Sequence, residues 1–371
     1  MEKIINIIVP IITFFLGYFG EKILDKIGAK IKEKRIKIQV NKTRKKMSTN
    51  AIDIIYTETI HPSISQNNIE VKKSDKRLFL AFPESLKSAA VQIEGEFAEK
   101  DESFCEFKFE NYTSEEISSA IETAREEIAE NFIKRECGLY DNGDKIGIVR
   151  LDSKTRSRNS QKTPKLLIET YQTDYFSHHV ITRALQLLKP DKSYITEESL
   201  NSNLVWARTS FGVSVIVVLE STNEILLTHR APSAAFTDGN SWIYVSATEP
   251  LSKKDLEAEE YMSALAHCVK RGLEEELGIE KNMYLFDNIE FHDCFFETNF
   301  FQDGIVASVK LSKEISPQQI LTKRAMDKQL EIQDIFFIDN TADAIRKFIK
   351  QHRKEMRSQT IFALETYASS L

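Results

Sequence analysis

Hydrophobic and polar positions follow three patterns along this chain. From Ile4 to Gly20 there is no charged residue, and Ile, Phe, Val and Leu dominate. As a helix rising about 1.5 Å per residue, this run would span about 25 Å, the short end of a bilayer crossing. Ile23 and Leu24 extend it, and Pro10 is tolerated because neighbouring groups satisfy the freed carbonyl. Between residues 48 and 200 the pattern predicts short elements of both kinds. Ile52–Thr59, Ile69–Lys73, Arg77–Phe82, Ile146–Leu151 and Lys165–Thr170 read as strands, and Phe104-Cys-Glu-Phe-Lys-Phe109 alternates as a half-buried strand does. Ser114–Arg135 reads as a helix opened by the capping box Thr113-Ser-Glu-Glu116. A second helix, Ser177–Leu188, has Asp174 or Ser177 as its cap. From Asn203 onward, Gly212–Leu219 predicts a buried strand, Ser221–Glu224 a turn, and Ile225–Arg230 the hairpin partner. Trp242–Glu249 contains a short strand. Asn288–Asp293, Cys294–Thr298, Ile305–Leu311 and Glu331–Ile338 read as further strands, and Thr341–Met356 as a helix.

Charge adds a direction to this picture. Eleven Lys or Arg residues lie between Lys22 and Lys46, against one, Lys3, before the apolar run. The positive-inside rule then predicts a single-pass inner-membrane protein with its amino terminus outside and its body in the cytoplasm. A cleaved signal peptide is the rival, but the basic leader and small-residue cleavage site it needs are not evident. Ile23, Ile27 and Ile31 sit at helical spacing, so the lysines either hold an amphipathic continuation to anionic headgroups or only fix topology. Asn6 and Thr13, seven apart, share a helix face that favours self-association, and Gly17 allows close approach.

Length and composition set further limits. The chain's 371 residues suffice for two domains besides the anchor. The boundaries read as a 1–24 anchor, a 25–47 basic juxtamembrane segment, a 48–200 α+β middle domain and a 203–371 carboxy-terminal domain. The net charge of -6 coexists with the basic stretch, which argues against broad nucleic-acid binding by the body. The four cysteines, Cys105, Cys137, Cys268 and Cys294, lack metal spacing and read as free thiols. His178 and His179 are neighbours but a poor metal pair. The basic loop with Lys154, Arg156, Arg158 and Lys162 either reaches a nucleotide phosphate or is solvated surface.

The chemistry concentrates in Arg271-Gly-Leu-Glu-Glu-Glu-Leu-Gly-Ile279. Arg271 lies one helical turn before Glu275, and Glu275 adjoins Glu276, so these side chains crowd one side of a helix. Converging carboxylates repel unless a cation lies between them, and hard oxygen ligands suit Mg²⁺, which also bridges phosphates. The alternative is a solvated acidic helix face. Gly278 is a helix stop.

This stretch resembles the second half of a Nudix box: Gly, five residues, Glu, seven residues, Arg-Glu-apolar-any-Glu-Glu-any-Gly-apolar. Arg271, Leu273, Glu275, Glu276, Gly278 and Ile279 fit. Gly272 and Ser263 stand where the family has glutamates, and Ser246 and Ala247 stand where it has a glycine pair after the Trp at Trp242. The resemblance covers residues 203–371 and implies a Nudix-like α/β/α sandwich. The expected fold class is therefore α+β: a single transmembrane helix, a mixed α/β middle region and this sandwich.

The combination of anchor and damaged box resembles the transmembrane–Nudix effectors of bacterial CBASS antiphage systems. That resemblance implies a cyclic di- or trinucleotide, made by a CD-NTase, binding to the body of a homo-oligomerising effector. Clustering would then disrupt the lipid bilayer and kill the infected cell. No catalytic residue is assigned. Arg271, Arg230, Tyr244 and Glu249 are the expected ligand-binding residues, the first two for phosphates and Tyr244 for a base. No cofactor is required, though Mg²⁺ on Glu275 and Glu276 remains the alternative if the box works. In that case the protein is a membrane-tethered Nudix hydrolase of a nucleoside diphosphate derivative, with Glu275 and Glu276 catalytic and Glu274 or Glu249 replacing the absent glutamate.

Overall fold

Pro-free, β-branched runs build the centre of the molecule. The computed structural model describes residues 54–58, 63–101, 106–109, 111–135, 141–154, 165–189, 192–231, 242–257, 263–325 and 328–371. Its first elements are β1 (Ile54–Glu58), β2 (Ile64–Ser65), β3 (Ile69–Arg77), α1 (Ser114–Lys134), β4 (Asp144–Lys154), β5 (Lys165–Asp174), α2 (Tyr175–Leu188) and α3 (Glu197–Leu200). Then follow β6 (Phe211–Leu219), β7 (Glu224–Arg230), β8 (Ile243–Tyr244), β9 (Ala247–Pro250), α4 (Lys253–Leu256) and α5 (Ala264–Gly272). The last are β10 (Glu290–Glu297), β11 (Gln302–Leu311), α6 (Pro317–Thr322), α7 (Lys328–Glu331), β12 (Ile332–Asp339), α8 (Ala342–His352) and α9 (Ser358–Ser370).

Among the described residues, nine strands form one sheet in the order β1-β10-β11-β6-β7-β12, with β2 on β10, β8 on β7 and β9 on β6. Strand β6 is buried along its whole length, which its unbroken Phe-Gly-Val-Ser-Val-Ile-Val-Val-Leu run permits. It pairs in parallel with β11 and antiparallel with β7. Val213, Val215, Val217 and Leu219 share a core with Leu265, Val269 and Leu273 of the α5 region. On the other face α9 packs, with Phe295 and Phe362 rings 4.9 Å apart. There Gln359 Nε2 donates to Ser214 Oγ at 2.8 Å.

A smaller sheet, β3-β5-β4, contributes Ile146, Ile148, Leu166 and Ile168 to the core that contains β6 and α5. A second core joins α1 to α2 through Ile117, Ile121, Ile128 and Phe132 against Phe176, Val180, Ile181 and Leu185. Thr113 and Glu116 form the reciprocal capping box of α1. Asp174 caps α2, accepting from the Ser177 N–H at 2.7 Å. β1 and β2 pair with β10, so the large sheet draws strands from both sides of residue 200.

One ion pair ties these parts together. Arg208 Nε and Nη2 donate to Asp303, with Nη2 to Oδ1 at 2.6 Å and both side chains fully buried. Arg208 Nη1 donates to Asn201 Oδ1 at 2.8 Å. The Arg208 carbonyl accepts from Ile148 N–H of β4 at 2.9 Å, and Asp303 N–H donates to the Ser210 carbonyl at 2.9 Å. Burial pushes the Asp303 carboxyl up, against the opposing pull of Arg208.

The membrane part of the expected fold class is corrected. Among the described residues no helix is long and apolar enough to cross a membrane, so the single transmembrane helix and the single-pass inner-membrane placement are not supported. The longest described helix, α1, has the length, but eight of its 21 residues are charged. The structure is a mixed α/β fold. The expected span, Ile4–Gly20, and the 25–47 basic segment lie outside the described residues, as does most of the 154–162 basic loop. Smaller differences have local causes. The 69–73 and 77–82 strands are one strand ending at Arg77, because residues 78–82 turn inward and bury Leu78, Leu80 and Phe82. The two strands expected over 288–298 are one, β10, irregular between Phe291 and Cys294. Residues 106–109 belong to no strand.

Replacing Asp303 by Asn leaves Arg208 charged and uncompensated inside the protein. Its expected cost is about 3–5 kcal/mol of unfolding free energy, read from urea denaturation. A loss below about 1 kcal/mol would show that the pair does not hold the two sheets.

Candidate functional site

The residues that resemble a Nudix box lie on α5 and its π-helical continuation, Leu273–Leu277. Ser263, where the family has a glutamate, caps α5 by accepting from the Ala266 N–H at 3.2 Å. Gly278 ends the turn at φ +68°, a left-handed conformation that suits glycine, and a Cβ there would meet the Arg324 carbonyl oxygen at 2.6 Å. Leu265, Ala266, Cys268, Val269, Leu273 and Leu277 are buried against the sheet. That anchoring turns the acidic residues toward β9 and the end of β7.

Arg271 is consumed by structure. Its Nε and Nη2 donate to the two Asp255 oxygens at 3.2 and 2.8 Å, and Nη2 also to the Pro250 carbonyl at 2.7 Å. Nη1 pairs with Glu249 and stands 3.6 Å from Glu275. Asp255 is also met by His267 Nδ1 and by the Ser252 N–H, both at 2.8 Å. Burial works against the Asp255 charge, but Arg271, His267 and Ser252 hold its carboxyl below the usual range. Glu276 is similarly engaged. It accepts from the Thr248 N–H and from Arg230 Nη2, each at 3.1 Å. Arg230 also donates to Thr248 Oγ1 at 2.9 Å, pairs with Glu331, and lies 5.2 Å from the Tyr244 ring centre.

Gly272 leaves room for Glu249 against the helix. A Cβ on residue 272 would sit 2.8 Å from Glu249 Cβ and 3.2 Å from its Cγ. The bare backbone of α5 thus gives its space to a carboxylate arriving from β9.

Beside this network is a cavity of about 300 Å³. Arg230, Tyr244, Glu249, Glu275 and Glu276, all singled out in the sequence, line it together. Arg271 is not among the lining residues. Lys145 from the start of β4 and Tyr175 and His178 from α2 complete one wall, and Phe300 and Arg357 another. Sequence reasoning placed none of these five at the site, and weighed His178 only as half of a poor metal pair. Nothing in their local pattern distinguishes Lys145 or Arg357 from the chain's other cations, and only the sheet contacts bring them to one place. Trp242 is half-buried, and its carbonyl accepts from the Arg230 N–H at 2.8 Å.

The cavity's electrostatics follow from burial. Desolvation lowers the Lys145 ammonium to about 8, with Glu249 pulling it up and Arg271 pushing it down. Desolvation raises Glu249 to about 7, against Arg271 and with help from Glu276 and Glu275. His178 is driven well below its ordinary range by burial, then by His179 and Lys145, and is neutral. Its Nδ1 meets Thr209 Oγ1 at 2.8 Å. Among the described residues, neither Lys145 nor Arg357 forms an ion pair. Lys145 lies over the Tyr175 ring at 5.0 Å, and Arg357 over Phe300 at 4.1 Å and Tyr244 at 5.9 Å.

Of the two acids expected to hold Mg²⁺, Glu276 spends its oxygens on Thr248 and Arg230 while Glu275 lines the cavity; Glu249, the expected substitute, is pinned by Arg271. Among the described residues no group of three or more His, Cys, Asp or Glu side chains is placed to hold a metal ion.

Comparison with known proteins adds no identity. No family model matches the chain, and no curated protein matches it. A solved structure it matches is that of DR0079 from Deinococcus radiodurans, at 14% identity over 38% of this chain and 74% of that one. The TM-score of 0.26 carries no argument about fold or activity.

Adding one methyl group tests the contact at Gly272. Gly272→Ala is expected to lower stability by about 1–3 kcal/mol in urea unfolding, through overpacking against Glu249. In a Glu249→Gly background the same change should cost much less. Equal losses in both backgrounds would rule out the close approach as the cause.

Proposed function

We propose that this chain is a receptor for a cyclic oligonucleotide, which it binds without hydrolysing. The observation that carries this is a cavity holding two cations without ion-pair partners among the described residues, Lys145 and Arg357, next to the Tyr244 and Phe300 rings. Charged donors not tied up in ion pairs suit phosphate, and aromatic rings beside a guanidinium suit nucleobases. The volume takes one nucleotide unit of such a ring. The resemblance of the 271–279 segment to a Nudix box supports a nucleotide-type ligand. The altered box, with Gly272, Ser263, Ser246 and Ala247, is the part of the resemblance to CBASS effectors that still stands, and on it rests the choice of a cyclic oligonucleotide made by a partner nucleotidyltransferase.

What speaks against hydrolysis is how the acids are used. Metal-assisted attack on a diphosphate needs carboxylates free to hold the ion and position water. Here Glu276 orients Arg230, and Glu249 with Asp255 orients Arg271. Glu249, Asp255 and Glu276 are thus engaged by protein groups, which leaves Glu275 as one carboxylate where the box chemistry needs several.

The full-length protein is expected to gain thermal stability with cyclic di- or trinucleotides. Lys145→Ala and Arg357→Ala should each weaken binding about ten-fold or more, since a hydrogen bond to a charged group contributes about 1.5–3 kcal/mol. Metal-dependent phosphate release from nucleoside diphosphate derivatives, abolished by Glu275→Gln with Glu276→Gln, would overturn the receptor reading.

The pH dependence has a definite sign. Glu249 gains negative charge as pH rises through about 7, and Lys145 loses positive charge through about 8. Both changes oppose an anionic ligand, so affinity measured by calorimetry should fall steadily from pH 6 to pH 9. Affinity that rises over this interval would contradict the placement of phosphate beside Lys145.

A further inference from the structure

The pocket contains a carboxylate that an anion receptor alone does not explain. Glu275 lines the cavity with its side chain 38% exposed. Among the described residues its oxygens accept no hydrogen bond, and the nearest cation, Arg271, stands 3.6 Å away with its donors directed to Asp255, Glu249 and Pro250. A single metal-free ligand satisfies opposite charges in the same cavity when it carries N–H donors as well as acceptors. Left facing a phosphate, the Glu275 carboxylate would oppose binding.

Arg357 supplies the complementary half. Its guanidinium carbon lies over the Phe300 ring, 4.1 Å from its centre, and 5.9 Å from the centre of the Tyr244 ring. A guanidinium held over a ring keeps its N–H edge as the part able to hydrogen-bond, and that fork suits a pair of adjacent acceptors.

We propose that the pocket selects a guanine base, with Arg357 donating to the O6 and N7 acceptors and Glu275 accepting from N1–H and the N2 amino group. This assignment rests on the receptor reading and names the base the ligand carries. Guanine presents two adjacent acceptors on one edge and two adjacent donors on another. Adenine places its N6 amino donor beside N7, where it would meet an Arg357 donor. Cytosine has acceptors at N3 and O2 but one exocyclic donor, and uracil has a single N–H, so neither offers a carboxylate two donors. Lys145, a compact charge lining the same cavity, is left for the phosphodiester. Arg357 could instead grip a second phosphate, and the two cases differ in how base identity affects binding.

The test uses the full-length protein and calorimetric titration with cyclic di-GMP and cyclic di-AMP. A good bidentate pair discriminates between bases on the order of 10- to 100-fold, so cyclic di-GMP should bind at least ten-fold more tightly. Glu275→Gln and Arg357→Lys should each reduce that ratio at least five-fold; the second keeps the charge and loses the fork. Equal binding of both rings, or tighter binding of cyclic di-AMP, overturns the guanine assignment while leaving the receptor reading intact. So does a Glu275→Gln variant that weakens both rings alike, and so does an Arg357→Lys variant that keeps the full preference. If neither ring binds, and a panel of other cyclic di- and trinucleotides also fails, the receptor reading has failed and the base assignment falls with it.

Discussion

A buried ion pair, Arg208 with Asp303, is the constraint on which the rest of the molecule depends. Both side chains are fully buried, and two charges without water are tolerated only when each is hydrogen-bonded on all sides. Arg208 meets this need through Asp303 and Asn201, and the adjacent backbone ties Ile148 of β4 and Ser210 at the entry of β6 to the same point. The parallel start of β6 and β11 is thereby set, and Ser210, Gly212 and Gln302 are delivered to the cavity. The small sheet is held against the large one at the same place, which brings Lys145 within reach of the wall formed by β7 and β9.

A second constraint converts box-like chemistry into architecture. A glycine at 272 opens a space on α5, Glu249 fills it from β9, and Arg271 closes the contact through Glu249, Asp255 and the Pro250 carbonyl. Carboxylates that neutralise arginines hold elements in place and have little capacity left for a metal ion. Glu275 is the exception: it remains facing the cavity, and its environment differs from that of Glu276 one residue later. Both line the pocket, but consecutive positions on the turn diverge, so Glu276 reaches the Thr248 N–H and Arg230 while Glu275 does not.

Much of the element order was legible in the chain, for physical reasons. The unbroken apolar run at 212–219 admits little except a strand buried on both faces. The Thr113 box and the Asp174 cap are local hydrogen-bond patterns that need no distant partner. Clustering of Arg230, Tyr244, Glu249, Glu275 and Glu276 was legible too, because the hairpin and the helix following it are near neighbours in sequence. The helix Ser358–Ser370 was not anticipated: it is buried along most of its length and lacks the polar face that marks helical periodicity. The membrane expectation drew on residues beyond those described, and none of the described helices supplies a span.

The sequence by itself determined the local elements, the caps, and a carboxylate-rich helix next to a strand hairpin. It could do so because backbone hydrogen bonding and hydrophobic period act within a few residues. The tertiary structure alone decided which charges are spent and which are left. Arg271 and Arg357 are chemically identical, and only their neighbours separate them: Asp255 and Glu249 absorb the first, while Phe300 and Tyr244 lie beside the second. Lys145 lies 85 residues before Arg230, and it reaches the same cavity because β4 packs where β6 begins. The energy of a charge depends on what surrounds it in space, and that information exists only once distant segments have packed.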